Sequence, residues 1–227
     1  MEDRLGQSLL EHWRARMTDV FGERYAGVLT MKLPEDLRVY EHLMWDSAAD
    51  AVIELGCHSG GSALWFRDRL AALRRYGRAA RPGPVISIDL DTSVARKNLQ
   101  AVDFWFADTI ELVDGDVTDP TLPDRVAALL PAGARCLVVD DSAHTYETTA
   151  AALRGFARFV PPDGWFVVED GCVDIEPLRL DPNWPRGVLP AIADWLTTPE
   201  GKAFRVRREA ECYGITSHPG GFLQRVG

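Results

Sequence analysis

Apolar positions recur along the chain in two different periods, and the alternation between those periods predicts an α/β order. Leu5, Leu9, Leu10, Trp13 and Met17 fall at helical spacing, after which residues 25–31 loosen into a connector. Pro34 marks a second helix start with Glu35 and Asp36 in its first turn, and Leu37, Tyr40, Leu43 and Met44 form the apolar face. Short apolar runs then appear at 51–53 ahead of Glu54, and at 84–91, 109–113, 136–140 and 165–169. Their length and flanking turn residues suit buried strands. Helical stretches at 63–76, 92–100 and 145–159 stand between them, so strand, helix and strand form right-handed parallel units. After an irregular segment at 174–187, a helix is predicted at 188–196 and strands at 204–208 and 222–226, which close the sheet as a hairpin. The alternating Arg205, Arg207 and Arg208 suit the solvent face of an edge strand.

Composition narrows the functional classes. A chain of 227 residues with 46% hydrophobic content can bury the core of one domain. A formal charge of -9 with a pI near 5.1 argues against nucleic acid or an anionic membrane as partner. Cys57, Cys136, Cys172 and Cys212 are widely separated, which excludes a zinc knuckle or a C-x-x-C redox pair and suits reduced thiols in a cytoplasm. The acidic start has no apolar signal core, and no apolar run reaches the roughly 18 residues of a membrane span, so a soluble cytoplasmic protein is expected.

Within the predicted strand-turn-helix at 51–66, the pattern reads Glu54-x-Gly56-x-x-x-Gly60-Gly61-Ser62. Glycines allow a ligand to approach the backbone, and a helix N-terminus offers free amides. The carboxylate beside them disfavours a pyrophosphate, whereas a cationic or zwitterionic ligand such as S-adenosylmethionine fits; the glycines could also serve packing alone. Asp89 and Asp91 end the next strand on the same sheet edge, where an acid could accept ribose hydroxyls. Asp91 is equally suited to the start of the following helix. Asp116, after the third strand, could meet the adenine amino group or shape a turn.

Two acid pairs, Asp140-Asp141 and Glu169-Asp170, end the fourth and fifth strands. If those strands are neighbours the carboxylates converge, and like charges at that range need a neutralising partner. Oxygen-only ligands point to Mg²⁺, Mn²⁺ or Ca²⁺ rather than zinc, although one acid of each pair could instead cap a helix or face water. His144, three residues after Asp141, can face the same edge as a general base. His58 and His218 lack such neighbours in the sequence.

These motifs, with Lys32-x-Pro-x-Asp-Leu, Ile88-Asp-x-Asp91, Gly115-Asp116, Asp141-Ser-x-His144 and Pro219-Gly-Gly-Phe-Leu, resemble the cephalosporin hydroxylase-like family of S-adenosylmethionine-dependent enzymes. That family includes sugar O-methyltransferases of macrolide and rhamnoside biosynthesis. The resemblance implies a Rossmann-like methyltransferase fold: a mostly parallel sheet, helices on both faces and an antiparallel C-terminal strand. It divides the chain into an N-terminal helical addition at 1–45, serving as a lid or an oligomer contact, and a methyltransferase domain at 46–227. It implies Mg²⁺, with Mn²⁺ as a substitute, at Asp141, Glu169 and Asp170, and His144 as catalytic base. Methyl-donor binding falls to Glu54, Gly56, Ser59, Gly60, Gly61, Ser62, Asp89, Asp91, Asp116 and Asp140. Ala143 replaces the polar residue that often stands before the histidine in the family.

The expected activity is metal-dependent O-methyl transfer to a small molecule carrying a vicinal diol, as on a deoxysugar, or a catechol, in natural-product biosynthesis. A non-catalytic accessory protein of a hydroxylation pathway is the alternative, and a nucleotide-sugar dehydrogenase is the third class. Stabilisation by S-adenosylmethionine and not by NAD separates the first two from the last.

Overall fold

Seven strands form one sheet whose five parallel members carry the site at their carboxyl ends. A computed structural model describes residues 8–79 and 83–226, which leaves Leu5 outside the described residues. Helix α1 (Leu9–Asp19) precedes a two-stranded hairpin, β1 (Arg24–Tyr25) and β2 (Val28–Leu29), and helix α2 (Pro34–Ser47). The alternating part runs β3 (Ala51–Leu55), α3 (Gly61–Arg75), β4 (Val85–Asp89), α4 (Ser93–Val102), β5 (Ile110–Asp114), α5 (Leu122–Ala127), β6 (Cys136–Asp140), α6 (Tyr146–Phe156) and β7 (Trp165–Val168). Helix α7 (Val188–Trp195), β8 (Phe204–Val206) and β9 (Phe222–Arg225) complete the chain, and the strand order is β5-β4-β3-β6-β7-β9-β8. Strand β9 runs antiparallel to both of its neighbours, β7 and β8.

The two-residue period of the strands explains the layering. Ile53, Ile86, Val138, Phe166 and Leu223 share one core cluster with residues of α1, α5, α6 and α7. Val52, Val85, Leu137, Val167 and Phe222 join the other cluster with residues of α2, α3 and α4. Strands covered on both faces are apolar apart from buried Glu54 and Ser87 and the acids that end β4 and β6, as parallel sheets require.

Two expectations are corrected and one element is added. The 25–31 connector contains the small hairpin, turned by Ala26 and Gly27 at φ 48 and 88. Helix α5 had no apolar period long enough to announce it; Pro123 in its first turn and buried Leu122 and Val126 mark it only in the fold. In α1, Leu9 and Leu10 are largely exposed, and the buried face is Trp13 and Met17. The α1 start itself follows local chemistry, since Ser8 and Glu11 form a capping box. No helix of the described residues is long and apolar enough to cross a membrane.

Candidate active site

A cavity of about 780 Å³ opens at the carboxyl ends of the parallel strands. The strand order puts the reversal between β3, which leads outward to β4, and β6, which leads the other way to β7. Open α/β sheets bind ligands at that switch point. Backbone hydrogen bonds continue past the strand ends and hold the loops in register: Asp141 N–H donates to Leu55 O at 2.8 Å, and Glu169 N–H donates to Asp140 O at 2.8 Å.

On the β3–β5 side the cavity is lined by Gly56, Ser59, Ser62, Asp89, Leu90 and Asp116. Asp89 Oδ2 accepts the amides of Cys57 at 3.1 Å and His58 at 2.8 Å, while its Oδ1 accepts Leu90 N–H at 2.8 Å. The carboxylate thereby shapes the glycine turn, with about one of its four acceptor directions left toward the cavity. Asp116 Oδ1 accepts the amide and hydroxyl of Thr118, which holds its carboxyl below the usual range. The Ser59 hydroxyl pairs with His58 Nδ1 at 2.8 Å.

Glu54, Gly60, Gly61, Asp91 and Asp140 do not line this surface. Glu54 is fully buried on the α2–α3 side of the sheet, beside Ser87 and Ser62, and its Oε1 has no hydrogen-bond partner. Burial pushes its carboxyl up to about 7, against the pull of Lys32. Gly60 and Gly61 serve packing: a Cβ on Gly60 would meet Leu99 Cγ at 3.1 Å and Ala95 Cβ at 3.2 Å, and one on Gly61 would collide with Leu29 O. Gly56, at φ 98, lets the end of β3 pass against the Asp141 carbonyl, where any Cβ would collide. A side chain at Gly60 would therefore disturb α4, not fill the donor cavity. Asp91 does not line the cavity; its Oδ1 accepts Ser93 N–H at 2.8 Å at the start of α4. Asp140 is buried beneath the loop, accepts Ser142 N–H at 3.3 Å, and is pushed up to about 6 by burial.

The acids after β6 and β7 do converge, because those strands pair in parallel. Asp141, His144 and Asp170 each offer one potential ligand atom, and these atoms lie within 4.8 Å of one another. His144 Nε2 is 3.4 Å from Asp170 Oδ2 and 3.8 Å from Asp141 Oδ1. Burial pulls the imidazole pKa down, but Asp170, Asp141 and Asp140 outweigh it and raise the net value. Burial and then Glu169 raise that of Asp141. His144 and Asp170 both occupy the left-handed region, at φ 55 and 54, a strained conformation that His and Asp tolerate better than most residues and that turns both into the cluster.

Glu169 stands apart from that triplet. Its Oε1 accepts Lys32 Nζ at 2.6 Å and the Tyr40 hydroxyl at 2.6 Å, and its Oε2 lies 3.7 Å from His218 Nε2. Lys32, buried to 2% exposure, also donates to Asp141 Oδ2 at 2.8 Å. His218 is buried too, and its Nδ1 accepts Asp170 N–H at 3.1 Å. For the neutral ring this puts the proton on Nε2, 3.5 Å from Asp36 Oδ2. Asp36 accepts both the amide and hydroxyl of Ser217. Sequence reasoning read Asp36 as a helix-start acid and His218 as isolated. A cation preceding a helix-starting proline, as at Lys32, was the one available signal. The carboxylates of Asp141 and Asp170, with Glu169 and Asp140 behind them and buried Lys32 as a partial offset, supply oxygen donors that fit a hard divalent cation, and His144 stands beside them.

Apolar walls complete the cavity: Met17, Val20 and Phe21 come from α1 and the turn after it, and Trp184 and Pro185 from the 174–187 segment. That segment is held from within by Arg179, which donates to Pro182 O and Trp184 O, and by Asp174, which accepts Gly187 N–H and Leu189 N–H. All four cysteines are free thiols.

A switch-point cavity on a five-strand parallel core closed by an antiparallel strand, with a glycine turn on one side and acids on the other, is the architecture of Rossmann-like methyltransferases. The family described as Rhamnosyl O-methyltransferase/CmcI matches residues 20–226, and the chain belongs to it. Membership places it among S-adenosylmethionine-dependent O-methyltransferases. Rhamnosyl O-methyltransferase of Mycobacterium tuberculosis (strain ATCC 25618 / H37Rv) is 24% identical over 208 residues, covering 88% of this chain and 77% of its own. A structure of CmcI described with Mg and SAM superposes at TM-score 0.66 and 20% identity, over 100% of this chain and 82% of that one. MycE from the mycinamycin pathway, in complex with Mg, SAH and mycinamycin VI, gives TM-score 0.53 and 18% identity, over 97% of this chain and 55% of that one.

Proposed function

We propose that the protein transfers the methyl group of S-adenosylmethionine to one hydroxyl of a neutral small molecule bearing a vicinal diol, on a deoxysugar or a catechol, with Mg²⁺ or Mn²⁺ as cofactor. The observation that carries this reading is the convergence of Asp141, His144 and Asp170 on a cavity whose other side is the glycine turn. Asp141 and Asp170 would hold the cation, with Glu169 behind them. When bound, the cation supplies a fixed positive charge that orients a diol and makes its hydroxyl more acidic.

The chain's own residues do the rest. Ser59, Ser62, Asp89 and Asp116 line the donor side, where a sulfonium and ribose meet carboxylates and hydroxyls rather than cations. His144 Nε2 takes the hydroxyl proton, and Asp170, 3.4 Å away, stabilises the imidazolium that results. Met17, Val20 and Phe21 make the N-terminal segment a cover that keeps water from the reacting atoms, and Trp184 offers the acceptor an apolar face. Aligning the oxygen with the methyl group is the main demand, because the sulfonium is already activated.

Charge narrows the acceptor. Asp89, Asp116, Asp141, Glu147 and Asp170 line the cavity, and among the described residues no Lys or Arg does. A neutral glycoside is therefore preferred over a nucleotide-activated sugar. The test is methyl transfer from labelled S-adenosylmethionine to a panel of rhamnosides and catechols, before and after chelation. Turnover should vanish with chelator and return with Mg²⁺ or Mn²⁺. Full turnover after exhaustive chelation sinks the metal assignment, and donor binding without transfer to any diol would support an accessory role instead.

A further inference from the structure

Among the described residues Lys32 is the one Lys or Arg in contact with the paired acids, and neither its position nor its burial follows from donor or acceptor binding. Lys32 is not among the residues that line the cavity. It is held between Asp141 Oδ2 at 2.8 Å and Glu169 Oε1 at 2.6 Å, with the Tyr40 hydroxyl on the same Glu169 oxygen. Burying an ammonium is costly unless charged partners compensate, and the buried Glu169 carboxylate carries the same demand, while Asp141 is half-buried. The three groups satisfy one another. Asp141 is thereby divided: Oδ2 faces the lysine, while Oδ1 faces His144 on the cluster side. Any cation held by Asp141 must share that carboxylate with a positive charge already in place.

We propose that Lys32 is a tethered counter-ion of the acidic site: it holds Asp141 and Glu169 together without metal and keeps divalent-cation binding weak and exchangeable. This rests on the reading of Asp141 and Asp170 as the place of the cation. Two effects act in the same direction. Without Lys32, Asp141 and Glu169 repel each other and destabilise the metal-free protein. A divalent cation arriving there no longer meets a fixed positive charge, and it takes over the neutralising role.

The test compares the full-length protein with Lys32→Met and Lys32→Arg, all stripped of metal, by calorimetric titration with Mn²⁺ and by thermal melting with and without Mn²⁺. Lys32→Met should melt lower than wild type without metal, bind Mn²⁺ at least about tenfold more tightly, and gain more melting temperature from Mn²⁺ than wild type does. Lys32→Arg, which keeps the charge, should stay near wild-type affinity. Should Lys32→Met fail to fold without metal, the double variant Lys32→Met/Glu169→Gln removes one negative charge with the positive one and should recover metal-free folding; no recovery overturns the proposal. Mn²⁺ affinity in Lys32→Met equal to or weaker than wild type, with wild-type binding intact, overturns the counter-ion role alone. Absence of Mn²⁺ binding in every form overturns it together with the metal reading.

Discussion

The two sides of the cavity satisfy their carboxylates in opposite ways. After β4 and β5, acids are met by amides and hydroxyls close by in the chain: Asp89 by Leu90, Asp91 by Ser93, and Asp116 by Thr118. Only the contacts of Asp89 with Cys57 and His58, and of Asp114 with Thr92, cross between loops. The carboxyls of Asp114 and Asp116 are held low by these hydrogen bonds. After β6 and β7, burial pushes Asp140 up to about 6 and raises Asp141; Asp140 accepts the nearby Ser142 N–H, but Asp141 and Glu169 are met by Lys32 from a distant segment. The first side is a set of finished turns that present a surface. The second is charged, strained and incompletely neutralised, which is where proton transfer and cation binding are expected.

The sharpest way to break this contrast is at His144. His144→Ala should lower turnover by roughly 10²–10⁴-fold at saturating metal and acceptor while leaving donor affinity unchanged by calorimetry. The wild-type rate should rise with pH through an ionisation absent from the variant, since only the neutral imidazole accepts a proton. Near wild-type turnover with the same pH profile would make His144 structural.

A smaller effect separates two acids on the other side. Asp89→Ala removes the partner of three loop amides, and charge-assisted hydrogen bonds of this kind contribute about 1.5–3 kcal/mol. Donor affinity should fall about 10–100-fold. Asp91→Ala, which loses only a helix-start contact, should cost about 1 kcal/mol of stability and leave donor affinity alone. Equal donor losses in both variants would erase the distinction drawn between them.

The last prediction concerns Glu54. Its folded pKa of about 7 lies above the ordinary 4.5, so the folded state holds this proton more tightly than the unfolded chain. Its contribution must therefore become less favourable as pH rises from 4.5 to 7 and then level off. In donor-free protein, Glu54→Gln should gain on wild type across that window by an amount on the order of 1–3 kcal/mol. Melting curves whose difference stays constant with pH would contradict this.

Glu54 also shows where sequence reasoning stopped. Its place at a strand end beside glycines suggested a ligand contact, and the following turn does line the cavity. The side chain itself points the other way, because strand residues alternate and position 54 shares a face with Val52 rather than with Ile53. The glycines were correctly marked as special, but their need is for close backbone packing at Gly56 and Gly61 and for the α4 contact at Gly60.

Locally encoded features were legible in the chain by itself: apolar periods that set strand and helix order, acids at the ends of successive strands, and the proline that starts α2. These depend on residues a few positions apart, and once parallel connections are imposed they place Asp89, Asp116, Asp141, His144 and Asp170 on one sheet edge. Only the tertiary structure decided how the charges are balanced. Lys32 reaches Asp141 across 109 residues and Glu169 across 137, and His218 reaches Asp170 across 48. No period or spacing encodes such pairings. They exist because β6 and β7 lie side by side, α2 packs over the sheet face that buries Glu169, and a buried charge must find its partner wherever the fold brings one.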